Sequence, residues 1–171
     1  ARLLAPADYG LVGMAGLITG VIALVGNFGL NASIIQKREL SHDEASALFW
    51  YLALFGLIVS SFIFAFAPLG PLFWGEPQLL SLIRLSALGF FLSSLSQIPS
   101  AVLQKNMMFK KFGFILSATA ISGSAITIVL AYLGFGPYSL ILGAVAARAI
   151  KIVLVFTIGS FLPSAVFCLK Y

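Results

Sequence analysis

Residues 112–147 read FGFILSATAISGSAITIVLAYLGFGPYSLILGAVAA and contain no Asp, Glu, Lys or Arg. About 20 apolar residues carry an α-helix across a hydrocarbon core roughly 30 Å thick. The stretch is too long for one crossing, and it is interrupted at Gly134-Phe135-Gly136-Pro137, where glycine and proline favour a turn. It therefore predicts two membrane helices joined by a very tight connection.

The same ruler applies on either side. Charge-free runs also extend from Tyr9 to Gln36, from Ala45 to Gly75 and from Leu85 to Gln104. Cut at their Pro and Gly breaks, the runs predict five spans, near 9–33, 44–67, 78–103, 112–133 and 138–161. The expected fold class is all-α, a polytopic transmembrane helix bundle. Ser41 with Glu44 forms a capping-box pattern opening the second span. Pro68 and Pro71 close it, and Pro77 stands where the first turn of the third tolerates proline. Pro99 is expected to kink or loosen the third span.

Composition agrees with this reading. The 171 residues are 61% hydrophobic and 9% charged, with a mean hydropathy of +1.10. A soluble domain carries roughly 25% charged residues, so a water-solvated globule, a disordered tail and a nucleic-acid-binding module all fit poorly. The 16 Phe and 16 Gly suit a bundle that meets lipid with bulky side chains and lets helices approach through small ones. The single cysteine, Cys168, excludes an internal disulfide framework and a cysteine metal cluster. The chain opens at Ala1 without a signal-peptide pattern, and it is expected to be a piece of a longer protein.

Basic residues give an orientation. Lys37 and Arg38 follow the first span, Lys105, Lys110 and Lys111 join the third to the fourth, and Lys170 follows the fifth; the other connections have no Lys or Arg. The positive-inside rule places the basic connections in the cytoplasm. The first residues then lie outside, and a cytoplasmic N-terminus requires a further span upstream. Phe49, Trp50 and Tyr51 are expected in the inner aromatic belt, and Phe73, Trp74, Tyr132, Phe135 and Tyr138 in the outer one. The pI of about 9.6 is thus topological, with the basic loops as inside anchors that touch anionic lipid.

The spans carry polar side chains that a passive anchor does not need. Thr19, Asn27, Asn31 and Ser33 lie on the first span, Ser86, Ser93, Ser94, Ser96 and Gln97 on the third, and Ser117, Thr119, Ser122, Ser124 and Thr127 on the fourth. Asn27 and Asn31 share one helix face. Such groups either meet a polyhydroxylated substrate or bond neighbouring helices and their own backbone. Gly16 and Gly20 form a GxxxG, read as a close helix contact.

Arg148 and Lys151 are the sharpest signal, because they fall near the middle of the fifth span on one face. A central Arg or Lys costs roughly 2.5–3.5 kcal/mol even on the milder insertion scale, and such residues face a bundle interior or a water-filled cavity. The spans offer no Asp or Glu to pair with them. Three readings stand: a cationic cavity for an anionic substrate, pairing with a carboxylate outside this sequence, or snorkelling. Arg84, near the outer end of the third span, either snorkels to the headgroups or stands at a cavity mouth.

Catalytic chemistry finds little to use. His42 sits beside Asp43 and Glu44 without a second His or a Cys, so neither a metal set nor a nucleophile pair is indicated. There is no Walker-type phosphate loop. No catalytic residue, metal or cofactor is expected.

Several strings taken together, in order, are similar to a known family. ARLLAPADYGLV from Ala1, ASIIQK from Ala32, LFWYLALFG from Leu48, FWGEPQL from Phe73, AVLQKNMMFKKFGFI from Ala101 and YLGFGPYSLILG from Tyr132 resemble the bacterial polysaccharide exporters. These belong to the multidrug/oligosaccharidyl-lipid/polysaccharide superfamily and include the O-antigen type flippases. The resemblance implies a MATE-like fold of two six-helix lobes across a central cavity, with residues 1–171 as part of the N-terminal lobe and the first helix and second lobe absent. It further implies a multi-pass protein of the bacterial cytoplasmic membrane that flips oligosaccharide linked to undecaprenyl pyrophosphate from the inner to the outer leaflet. The partners implied are the lipid-linked oligosaccharide, membrane lipid, the second lobe and polysaccharide polymerase machinery, with no nucleic acid.

The resemblance brings no fixed catalytic motif, so the substrate-binding residues are inferred from position: Arg148, Lys151, Asn27, Asn31 and Gln97. Gln36 and Gln104, at inner ends of spans, stand either at the cytoplasmic mouth or as interface anchors. The alternatives are a multidrug exporter of the same superfamily, which the cationic fifth span disfavours, and a membrane-embedded glycan polymerase or ligase, which would be expected to carry a long outer loop.

Overall fold

A computed structural model describes residues 6–27, 42–159 and 163, the side chains of 18 and 21–27 excepted. Its elements are α1 (Pro6–Asn27), α2 (His42–Phe66), α3 (Leu69–Trp74), α4 (Gln78–Lys105), α5 (Phe109–Tyr132) and α6 (Pro137–Gly159). Among the described residues α2, α4, α5 and α6 are each long and apolar enough to cross a membrane. At 1.5 Å per residue the 22 residues of α1 also span about 33 Å. The chain is a polytopic helical bundle.

The helix ends follow local chemistry. Asp43 and Glu44 lie in the first turn of α2, where carboxylates complement the helix dipole. The Ser41 cap lies outside the described residues. Pro68 and Pro71 do not simply end α2; they flank and enter a six-residue helix, α3, that closes on Gly75 at φ 70°. Between α5 and α6, Gly134 N–H donates to Ala131 O at 3.1 Å and Phe135 N–H to Leu130 O at 3.2 Å. That is a Schellman stop, with Gly134 left-handed at φ 82°. The α4–α5 turn repeats these bonds, from Met107 N–H to Gln104 O and from Met108 N–H to Leu103 O, both 3.1 Å. Here the left-handed position holds Met107, φ 55°. Helix α4 runs through Pro99, which is buried.

Helix α4 is the hub, touching α1, α2, α3, α5 and α6, while α5 leans chiefly on α6. One apolar cluster joins Ala15, Ile63, Leu82, Ile83 and Ile141 from α1, α2, α4 and α6. A second joins Phe49, Leu52, Ile98 and Ala101 of α2 and α4 with Phe156 of α6. A third, of Leu103, Ile115 and Val155, ties in α5 near the basic turn. Phe49 is therefore a core residue, 6% exposed and edge-on to Phe156 at 6.0 Å, not a belt residue. Trp50, Tyr51, Phe73, Trp74, Tyr132 and Phe135 are exposed, whereas Tyr138 is half-buried against the first cluster.

Small residues set the closest approaches. A Cβ built on Gly143 would collide with the Thr127 hydroxyl, and one on Gly123 would lie 2.7 Å from Ala147 Cβ. Gly123 and Thr127 on α5 thus interlock with Gly143 and Ala147 on α6. On α2, a Cβ on Gly56 would collide with the Ser94 hydroxyl of α4, and the Ser60 hydroxyl donates to Ala87 O of α4 at 2.8 Å. The close contact expected of Gly16 and Gly20 is not found: a Cβ on either would meet nothing within 4 Å.

Candidate functional site

The open face of α1 borders a cavity of about 380 Å³ between α1, α4 and α6. Gly16, Thr19 and Gly20 form one wall, Ser86, Ser93 and Gln97 of α4 a second, and Ala144 and Arg148 of α6 a third. The GxxxG thus serves as a cavity wall, because a residue without a side chain leaves volume as readily as it admits a neighbour.

Arg148 stands at the midpoint of α6 and is half-buried. Its guanidinium lies on Gly89 of α4, where a Cβ would come within 2.5 Å of Nη1 and 3.2 Å of Val145 Cγ2. Arg148 has no hydrogen bond or ion pair with other described residues, so its donors are available to the cavity. Lys151, one turn further along α6, is half-buried and likewise without an ion pair among the described residues, but it does not line this cavity.

Of the other predicted positions, Gln97 lines the cavity and is already engaged in a polar contact. Asn27 falls in the last turn of α1, with its side chain outside the described set; Asn31 and Gln36 also lie outside the described residues. Gln104 is away from the cavity, its amide donating to Ser100 O of its own helix at 3.4 Å. Arg84, expected at the headgroups or at a cavity mouth, lies in a separate groove between α2 and α4.

The hydroxyls divide by use. Thr19 donates to Ala15 O at 2.9 Å and Ser86 to Leu82 O at 2.9 Å, so toward the cavity they offer acceptor lone pairs. The Ser93 hydroxyl is unbonded among the described residues and can donate there. On α5, Thr119 donates to Ile115 O at 2.9 Å and Thr127 to Gly123 O at 2.8 Å. With Ser124 they border a second depression of about 450 Å³, which shares Leu140 and Ala144 with the first. Gly89 is not among the positions predicted from sequence. A glycine in a helix carries no signal of which distant side chain it seats.

Comparison with known proteins gives the family. Residues 1–171 match the family described as polysaccharide biosynthesis protein. The chain belongs to that family. Among curated relatives of this polysaccharide biosynthesis family, the lipopolysaccharide biosynthesis protein WzxC of Escherichia coli K12 is 30% identical over 156 residues, covering 90% of this chain and 31% of WzxC. The succinoglycan biosynthesis transport protein ExoT of Rhizobium meliloti is 26% identical over 171 residues, covering 99% of this chain and 34% of ExoT. An uncharacterized membrane protein in the cps region of Klebsiella pneumoniae is 26% identical over 162 residues, 92% of this chain and 33% of that protein. The chain thus spans about a third of the length of these relatives. No solved structure matches it. As a member of this family with membrane-spanning apolar helices, it is a multi-pass bacterial membrane protein.

Proposed function

We propose that these helices form part of the N-terminal lobe of a two-lobe exporter in the cytoplasmic membrane. The exporter moves oligosaccharide linked to undecaprenyl pyrophosphate from the inner to the outer leaflet. The observation that carries this reading is Arg148, a half-buried cation without an ion pair among the described residues, at the middle of α6 and bordering a cavity of mixed lining that also presents Thr19, Ser86, Ser93 and Gln97.

Arg148 gives the pyrophosphate charge-assisted hydrogen bonds, for which its planar fork suits two phosphate oxygens at once. Lys151 adds a second cation along the path toward the basic end. Ser93 donates to sugar oxygens, and Thr19 and Ser86 accept from sugar hydroxyls. The side of the cavity formed by Gly16 and Gly20 faces the second lobe, and the polyprenyl tail stays in lipid between the lobes. Rocking of one lobe against the other gives alternating access around the site, as in other repeat-built carriers. Translocation makes and breaks no covalent bond, and the exporter works as a transporter and not as an enzyme. A hydrophobic cation, the cargo of a drug exporter, would be repelled by Arg148.

The test is complementation of a flippase-deficient strain with the full-length gene, comparing wild type with Arg148→Ala and Lys151→Ala at matched expression. Restoration of surface glycan by wild type and its loss in Arg148→Ala supports the reading. Equal activity of the variants makes both charges structural and overturns the site.

A further inference from the structure

The groove that holds Arg84 is separate from the transport cavity and does not depend on how that cavity is read. Arg84 is exposed on the outer face of the α2–α4 seam, and its Cζ lies 4.7 Å from the centre of the Phe64 ring. Phe64 belongs to the last turn of α2, so the charge is held toward the membrane boundary opposite Lys105, Lys110 and Lys111. The 28 residues of α4 reach about 42 Å, longer than the hydrocarbon core of roughly 30 Å, so a helix centred in the core extends into the headgroup region at both ends.

From this geometry we infer that the groove of about 540 Å³ around Arg84 is a binding site for a glycerophospholipid of that leaflet, with its phosphodiester on Arg84 and Ser81 and an acyl chain along Leu85 and Leu88. Three features select this occupant. Ser81 and Arg84 are one turn apart on one face, putting a hydroxyl beside the cation. The Phe64 ring holds the guanidinium, with Cζ 4.7 Å from its centre, against the wall of the groove, and the guanidinium N–H groups that carry no hydrogen bond among the described residues can meet an oxyanion. Arg84 has no ion pair with any described residue, and it is the only basic side chain described in that half of the bundle, so the counter-charge is supplied by the ligand. The groove is held in shape by the Ser60 hydroxyl, which ties α2 to Ala87 O at 2.8 Å.

Simple snorkelling makes a different prediction, because a lysine would serve it equally well. A guanidinium that rests on a ring and bonds a phosphate through more than one N–H is not replaced by an ammonium.

The experiment is native mass spectrometry of the purified, delipidated full-length protein with phosphatidylglycerol or diacylglycerol added in turn. Wild type is expected to hold phosphatidylglycerol about tenfold more tightly than diacylglycerol. Arg84→Gln is expected to remove that preference, Arg84→Lys to reduce it, and Leu88→Trp, which fills the groove and keeps the charge, to weaken both lipids. Should Arg84→Gln not yield folded protein, the Arg84→Lys and Leu88→Trp arms decide. Wild-type affinity for phosphatidylglycerol in Arg84→Lys and Leu88→Trp overturns the proposal. So does displacement of the lipid by inorganic phosphate, which marks a free-anion site. Failure of wild type to distinguish the two lipids also overturns it, because the phosphate is then not recognised.

Discussion

The guanidinium of Arg148 rests on Gly89, so closely that a single methyl group at position 89 would meet Nη1 at 2.5 Å. The bare backbone of α4 therefore sets how far the charge reaches into the cavity. The atom in the way is the far end of a flexible side chain, and the other close contact is Val145 Cγ2 at 3.2 Å. Gly89→Ala is expected to fold and express as wild type while moving the cation. Export, read as surface glycan in a complemented strain, should fall several-fold with little change in the thermal midpoint. An unchanged export level would mean that the position of Arg148 is not critical.

Removing the charge is the stronger perturbation. A hydrogen bond to a charged group contributes about 1.5–3 kcal/mol, roughly a tenfold to hundredfold effect. Arg148→Ala should lower export by that factor, and Arg148→Lys should retain part of it, because an ammonium keeps the charge without the fork. Lys151→Ala should have the smaller effect, since Lys151 does not line the cavity. The same glycan measurement orders the three variants, and a larger loss for Lys151 would reverse the assignment.

Gly16 and Gly20 provide a test of volume. A Cβ on either meets no atom within 4 Å, so Gly16→Ala, inside a helix, is expected to keep or slightly raise the thermal midpoint. Gly16→Leu is expected to fill part of the 380 Å³ cavity and reduce export. If Gly16→Ala instead unfolds the full-length protein, the glycine face is a helix contact of the kind that GxxxG suggests.

These glycines show what the sequence conveyed and what it did not. The spans were legible because charge is so costly in lipid that its absence over a whole helix length measures the membrane directly. For the second to fifth spans the predicted ends, such as 78–103 against Gln78–Lys105, differ by a turn or less, whereas the end predicted near 33 for the first lies outside the described residues. Helix α3 escaped because Pro68 and Pro71 read as breakers, yet proline fits the first turn of a short helix. Phe49 escaped because an aromatic near a span end has the same sequence signature in a belt as in a core. Arg148 was legible as a cation within a span, and it is half-buried, but its seat on Gly89 was not legible, since the two meet only through the crossing of α4 and α6. The motif at Gly16 and Gly20 drew attention from Gly123-x-x-x-Thr127 and Gly143-x-x-x-Ala147, which form the close helix contact.

The α4–α5 turn offers a stability gain. Met107 holds the left-handed position, φ 55°, that glycine fills in the corresponding α5–α6 turn. A side chain there costs roughly 1–2 kcal/mol of backbone strain, partly offset by the extra freedom glycine has when unfolded. Met107 is 77% exposed, so little packing is lost on replacing it. Met107→Gly should therefore raise the thermal midpoint of the detergent-solubilised protein, with export unchanged. A lower midpoint would show that the side chain, lying beside Lys110 and Lys111 at the basic end, contributes more through its membrane contact than the turn loses in strain.

The α5–α6 contact predicts the opposite response. A Cβ on Gly143 collides with the Thr127 hydroxyl and would also lie 2.9 Å from Thr127 Cβ and 3.1 Å from its Cα. Unlike the guanidinium over Gly89, these atoms cannot swing aside, and the two helices must separate. Overpacking of this kind costs about 1–3 kcal/mol, so Gly143→Ala should lower the thermal midpoint where Gly89→Ala does not. Adding Thr127→Ala removes the hydroxyl, which otherwise donates to Gly123 O at 2.8 Å, but leaves the Cβ in place. The double variant is therefore expected to recover part of the loss and not all of it. Full recovery would assign the whole clash to the hydroxyl, and no recovery would assign it to the backbone approach of the helices.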